Sequence, residues 1–140
     1  MITPQKTDAQ KSDITGQIKK AAANLFYISE TDAEILSFAG KQAHGVTIDE
    51  IRKQTENALE LPIEEKDFTE FFARLTAIKD GFGDEEKATA QKFIRLKNLL
   101  EANLRDLRVF KIGEIQIDIY VVGLDVENNL TGIRTKAVET

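Results

Sequence analysis

The most regular hydrophobic pattern in this chain lies in its last third. Ile115, Ile117, Ile119 and Val121 alternate with Gln116, Asp118, Tyr120 and Val122, close to the period of two expected of a half-buried strand. Arg108 to Ile112 precedes this run and turns at Gly113. Leu130 to Val138 follows it after the turn Glu127-Asn128-Asn129. Three strands joined by short turns predict an antiparallel meander. Glu34 to Ala39, with Ile35, Leu36 and Phe38 ahead of Gly40, predicts a short strand that adds a fourth member. The last strand runs to the end of the sequence, so Thr140 is expected to be held by sheet pairing instead of fraying.

Upstream, the spacing of apolar residues becomes helical. Ile14, Ile18, Ala21, Ala22 and Leu25 share one face of a helix that Ser12 can cap. Phe26, Tyr27 and Ile28 leave that helix as an apolar exit, and Ser29-Glu30-Thr31-Asp32 reads as a polar loop. Thr47-Ile-Asp-Glu50 is a capping box opening a helix that includes Ile51. Leu61-Pro62-Ile63 is extended, because the residue before a proline disfavours helix. Asp67 can cap a short helix through Phe68, Phe71, Phe72 and Leu75. Lys79 to Gly83 is a glycine-punctuated loop. Asp84-Glu85-Glu86 opens the longest helix, to about Leu104, whose broad apolar face suits packing on a sheet. Helices flanking a meander predict an α+β domain. Residues 1–11 are expected to be a flexible polar segment, and residues 12–140 a single domain.

Composition narrows the function classes. At 140 residues, 41% hydrophobic and 31% charged, the chain fits one globular domain able to bury a core. No run reaches the length of a membrane span, and Met1 to Asp13 lacks the apolar segment of a signal peptide. The expected location is the cytoplasm. There is no cysteine, which excludes disulfides, thiolate metal sites and cysteine nucleophiles. Any histidine-based catalysis would rest on His44 alone, and a loop histidine without an identifiable partner reads as a surface residue. The formal net charge of −5 argues against binding nucleic acid. It suits a protein partner with a basic groove.

Few residues offer themselves as a site. Asp84, Glu85 and Glu86 serve a helix start through capping and the helix dipole; with Asp80 they can also form an acidic contact patch. Gly81-Phe82-Gly83 lacks both the dinucleotide fingerprint and the P-loop lysine. Phe82 fits an exposed aromatic anchor between glycines and a buried core residue equally well. Glu30, alone, is an ordinary loop glutamate. Thr140 and Glu139 stand out because they end a core strand, which places a hydroxyl and carboxylate oxygens at a fixed position. From the residues alone the chain is an acidic interaction domain with a structured C-terminus.

The same residues carry a resemblance. Val109 to Gly123, Asn129-Leu-Thr-Gly-Ile133 and Thr135-Lys-Ala-Val-Glu-Thr140 resemble the nuclease A inhibitor family of cyanobacteria and its relatives. The match continues through Asp84-Glu-Glu86 and Lys92-Phe93, with weaker matches at Asp67-Phe68, Phe71-Phe72, Arg74 and Ser29-Glu30, in the same order over nearly the whole chain. Only residues 41–66 match poorly. The resemblance implies an α-β-α sandwich with a central antiparallel sheet, similar to the pathogenesis-related class 1 proteins. It implies a non-enzymatic bacterial protein that inhibits a magnesium-dependent, sugar-nonspecific DNA/RNA endonuclease in a 1:1 complex. The terminal threonine of the family enters the nuclease active site and engages its magnesium ion through the hydroxyl, a role that falls on Thr140. A loop glutamate of the family contacts catalytic residues, a role that falls on Glu30. Phe82, Asp84 and Glu85 fall at the expected rim, and Glu139, beside Thr140, is a further expected contact to the partner. The protein needs no cofactor of its own, and neither nucleic acid nor membrane is an expected partner.

One position departs from the family. A tryptophan before the longest helix belongs to the family's interface, and this chain has Gly81 there, with Phe82 at the position of a tyrosine. The same fold serving a non-nuclease partner is therefore the alternative reading.

Overall fold

A computed structural model describes residues 14–55 and 61–140. The expected flexible segment 1–11 and the Ser12 cap lie outside them. Helix α1 covers 14–22. A short hairpin of β1 (Phe26–Ile28) and β2 (Asp32–Glu34) follows, then β3 (Leu36–Gln42) and α2 (Ile48–Thr55). The chain continues through β4 (Ile63–Lys66), α3 (Phe68–Thr76) and α4 (Asp84–Asn103). It closes with β5 (Arg105–Ile112), β6 (Gln116–Leu124) and β7 (Asn129–Val138). Five strands form one antiparallel sheet in the order β3-β7-β6-β5-β4, and β1 pairs with β2 separately. The domain is α+β as expected.

The sheet is buried on both faces, which makes three layers. Val109, Ile119, Val121, Ile133 and Ala137 face a core shared with α1, α3 and α4 through Ile18, Phe72, Phe93 and Leu96. Phe110, Ile112, Tyr120, Val122 and Leu130 face a second core, closed by Ile51 of α2 with Ala43 and Val46. Burial on both faces explains why β6 reads as a near-continuous apolar run from Ile119 onward. Ile115, expected to begin the half-buried strand, is 56% exposed and lies before β6.

Local chemistry sets the helix starts. Asp67 caps α3, its Oδ2 accepting the Glu70 amide at 3.0 Å. The Thr47 hydroxyl accepts the Glu50 amide at 3.1 Å at the start of α2. At α4 the N-cap is Gly83, not Asp84. Glu86 reaches back to accept the Gly83 amide at 2.8 Å, and Asp84 sits in the first turn, where its charge meets the positive end of the helix dipole.

Several strands differ from expectation: the apolar exit Phe26–Ile28 and the residues Asp32–Glu34 pair as a hairpin, and the strand expected at Glu34 to Ala39 runs from Leu36 to Gln42. β4 was legible only as extended chain at Leu61-Pro62-Ile63, yet Ile63 to Lys66 pairs with β5 along its whole length. β5 begins at Arg105, not Arg108; Asp106 (φ 56°) lies in a register shift that interrupts its alternation. The sheet tolerates no bulk at Gly132, where a Cβ would lie 1.9 Å from the Val121 carbonyl oxygen.

Candidate functional site

Glu30 is the middle residue of the three-residue turn joining β1 to β2. Its position is built outward from the core. Buried Tyr27 of β1 stacks on Phe71 of α3, with ring centroids 5.6 Å apart and planes 3° from parallel. Phe71 in turn packs edge-on against the fully buried Phe72. The turn is closed by Ser29, whose amide donates to the Thr31 carbonyl at 2.9 Å and whose hydroxyl donates to the same oxygen at 3.2 Å.

The end of the chain docks onto this turn. The Val138 amide donates to the Ser29 hydroxyl at 3.0 Å, and the Glu30 amide donates to the Val138 carbonyl at 3.3 Å. Thr140 then reaches the Glu30 carboxylate twice. Its amide donates to Oε2 at 2.6 Å, and its hydroxyl lies 2.9 and 3.0 Å from the two carboxylate oxygens. Thr140 is thus held, but not by sheet pairing as expected: β7 ends at Val138. The hydroxyl's single proton is directed at a carboxylate, which leaves its lone pairs for another group. Both residues are exposed, so the carboxylate and hydroxyl oxygens meet solvent together.

Glu139 is exposed but tied back to the sheet. Its amide donates to the Ile115 carbonyl at 3.0 Å, and its carboxylate takes both hydrogen bonds of Lys111 Nζ, at 2.9 and 3.1 Å.

The remaining expected residues flank a second feature. An open groove of about 630 Å³ runs between β1, the end of α3 and the start of α4. Phe82 and Glu85 line it, together with Phe26, Ile28, Arg74 and Glu86. Ile28 is 65% exposed and Phe26 42%; Phe82 is half-buried, between the two readings its sequence allowed. Only Ser29 separates Ile28 of the groove from Glu30. Asp84 is exposed at the head of α4 and does not line the groove. Gly81 has φ +88° with open space where a Cβ would stand. That conformation favours glycine over any larger residue, so the loop presents backbone at this point.

Sequence reasoning missed the groove's exposed members Phe26 and Ile28, which read as a simple apolar exit from α1. It also assigned no role to Ser29 or Lys111, although both lie in stretches that match the family. Among the described residues, no group of three or more His, Cys, Asp or Glu residues is placed to hold a metal ion. His44 is exposed in the loop before α2. No described helix is long and apolar enough to cross a membrane.

The family model for nuclease A inhibitor-like protein matches residues 12–140. The chain belongs to that family. The match covers every element of the structure, including the Ser29–Thr31 turn and the 138–140 tail. No curated protein matches the chain in sequence. Membership of the nuclease A inhibitor-like family points to an inhibitor, with a nuclease as the partner, instead of an enzyme. Within that family setting, Glu30 and Thr140 are one continuous feature of the surface. The groove beside them supplies an apolar neighbour with acidic residues on its α4 side.

Proposed function

We propose that this protein inhibits a magnesium-dependent, sugar-nonspecific endonuclease by inserting the Glu30–Thr140 pair into its active site in a 1:1 complex. The observation that carries this reading is the pair itself. Two residues 110 positions apart in sequence converge on a set of oxygen atoms at one exposed point. Magnesium prefers oxygen ligands and retains several waters, so a donor set of hydroxyl and carboxylate oxygens suits it. The ion belongs to the nuclease, where it neutralises charge on a phosphate during cleavage. Thr140 would engage that ion through its hydroxyl oxygen. Glu30 would face the cationic groups that otherwise stabilise phosphoryl charge.

Preorganisation favours this mechanism. A terminal residue that is free in solution loses conformational entropy on binding, whereas one already fixed loses little. The net charge of −5 draws the inhibitor toward a groove shaped for a polyanion. Phe82 and Glu85, beside exposed Ile28 and Phe26, extend the contact beyond the inserted pair. The protein acts as a cytoplasmic binding module with no cofactor of its own.

A second reading follows from Gly81. Where the family interface has a tryptophan, this loop adopts a glycine conformation, so its rim differs, and a non-nuclease partner is the alternative. Titration of the protein into a magnesium-dependent nonspecific nuclease, with DNA degradation followed, separates the two. A sharp end-point at one inhibitor per enzyme supports nuclease inhibition. Undiminished cleavage at large excess, with a stable non-nuclease partner recovered by affinity capture, supports the alternative.

A further inference from the structure

The last two residues lie beyond the final strand, where a chain normally frays. Here each is tied to a different element. Glu139 is bound through its amide to Ile115, ahead of β6, and through its carboxylate to Lys111 of β5. Thr140 is bound to Glu30 in the β1–β2 turn. One residue earlier, Val138 is bound to Ser29 in the same turn.

The Lys111–Glu139 pair joins β5 to the tail that follows β7. β5 and β7 are not neighbours, because β6 lies between them, so the lysine side chain reaches across β6 to meet the tail. The Lys111 side chain is only 16% exposed and the Glu139 side chain 43%. Glu64, across from Lys111 on β4, forms its own ion pair with Lys66 at 3.2 Å. The lysine therefore directs its charge to the tail, and both oxygens of the Glu139 carboxylate receive it.

We propose that Lys111 and Ser29 are positioning residues for the tail. Together they fix Val138 and Glu139, so that Thr140 is delivered to Glu30 in the geometry that engages the partner. Glu139 then works within the chain as the counter-charge of Lys111, not as a contact to the nuclease. This inference rests on the reading of Thr140 as the inserted group, but the clamp itself makes a claim about the free protein.

The test uses the full-length chain and two readouts. In the free protein, amide hydrogen exchange is followed by NMR at Glu139 and, as an internal control, at Ile119 of β6. In the complex, inhibition of a magnesium-dependent nonspecific nuclease is titrated. Lys111→Met keeps the aliphatic stem and removes the charge. It is expected to speed exchange at Glu139 by about tenfold or more while leaving Ile119 unchanged. It should also weaken inhibition by about tenfold through lost preorganisation. The charge-reversed double variant K111E/E139K is expected to restore both, which a merely structural role for either side chain would not produce. Ser29→Ala, which removes the acceptor of the Val138 amide, should act in the same direction.

Unchanged exchange at Glu139 in Lys111→Met overturns the clamp. Faster exchange with undiminished inhibition overturns its role in positioning Thr140. A wild-type chain that inhibits no such nuclease removes the proposed function, while the exchange comparison still decides whether Lys111 holds the tail.

Discussion

The Thr140 hydroxyl lies 2.9 and 3.0 Å from the two oxygens of the Glu30 carboxylate. The same carboxylate takes the Thr140 amide at 2.6 Å. A three-residue turn therefore holds the end of the chain. Hydrogen bonds to an ionised acceptor are stronger than neutral ones, so the charge on Glu30 matters as much as its shape.

Replacing Glu30 by Gln tests that charge. The amide keeps the size of the side chain and one acceptor oxygen, but it loses the anion. Exchange of the Thr140 amide is expected to accelerate, and inhibition to weaken by roughly 30-fold, the scale of an interface hot spot. Because the pair is exposed, the melting temperature should stay within about a degree of wild type. Amide exchange by NMR, an inhibition titration and calorimetry check the three effects in turn. Full inhibition by E30Q would show that the carboxylate charge is dispensable.

The groove beside the pair makes its own prediction. Phe82→Ala removes a half-buried aromatic surface next to exposed Ile28, and a loss of about 1–2 kcal/mol in binding is expected if the nuclease covers this groove. Glu85→Gln, on the exposed start of α4, should act mainly on the association rate. Surface plasmon resonance with both variants separates the two effects. No change in either rate would place the groove outside the interface.

Association should also depend on salt. An acidic inhibitor approaching a basic groove gains encounter rate from long-range attraction, which is screened beyond about 8 Å at physiological ionic strength. Raising the salt from low to several tenths molar should slow association by about tenfold or more and change dissociation little. A salt-independent association rate would contradict electrostatic steering.

A stability prediction concerns the β6–β7 hairpin, away from the site. Asp125 is 5% exposed, and its Oδ1 accepts the amides of Glu127 and Asn129, both at 2.9 Å. Asp125→Ala leaves those donors without their acceptor, a cost of about 1–3 kcal/mol. Thermal unfolding should shift down by several degrees, while inhibition at lower temperature keeps its stoichiometry. An unchanged melting temperature would mean that water replaces the carboxylate fully.

The meander was legible because its signal is local. Ile117, Ile119 and Val121 repeat every second residue, and the turns at Gly113 and Glu127-Asn128-Asn129 punctuate it. β4 was not legible as a strand: Glu64, Glu65 and Lys66 are exposed, and an edge strand paired on one side carries no apolar alternation. The Asp84 cap was misplaced by one residue because a glycine N-cap has no side chain to announce it. The site divides in the same way. That the chain's end is held could be inferred from the apolar strand leading to it. How it is held could not, since Glu30 and Thr140 stand 110 residues apart and no periodicity links them. Their pairing in function came from the family resemblance, and their contact from the fold. Lys111 lies in a stretch that matches the family, but its role could not be read from the chain, because a lysine in a strand most often faces solvent.

The most direct measurement removes a single residue. The chain lacking Thr140 is titrated beside the full-length protein into a magnesium-dependent nonspecific nuclease, and DNA cleavage and thermal unfolding are both followed. The account predicts a stoichiometric end-point for the full-length protein, a loss of inhibition of about 30-fold or more for the shortened one, and nearly equal melting temperatures. Equal inhibition by both proteins would contradict the insertion of Thr140 and with it the mechanism.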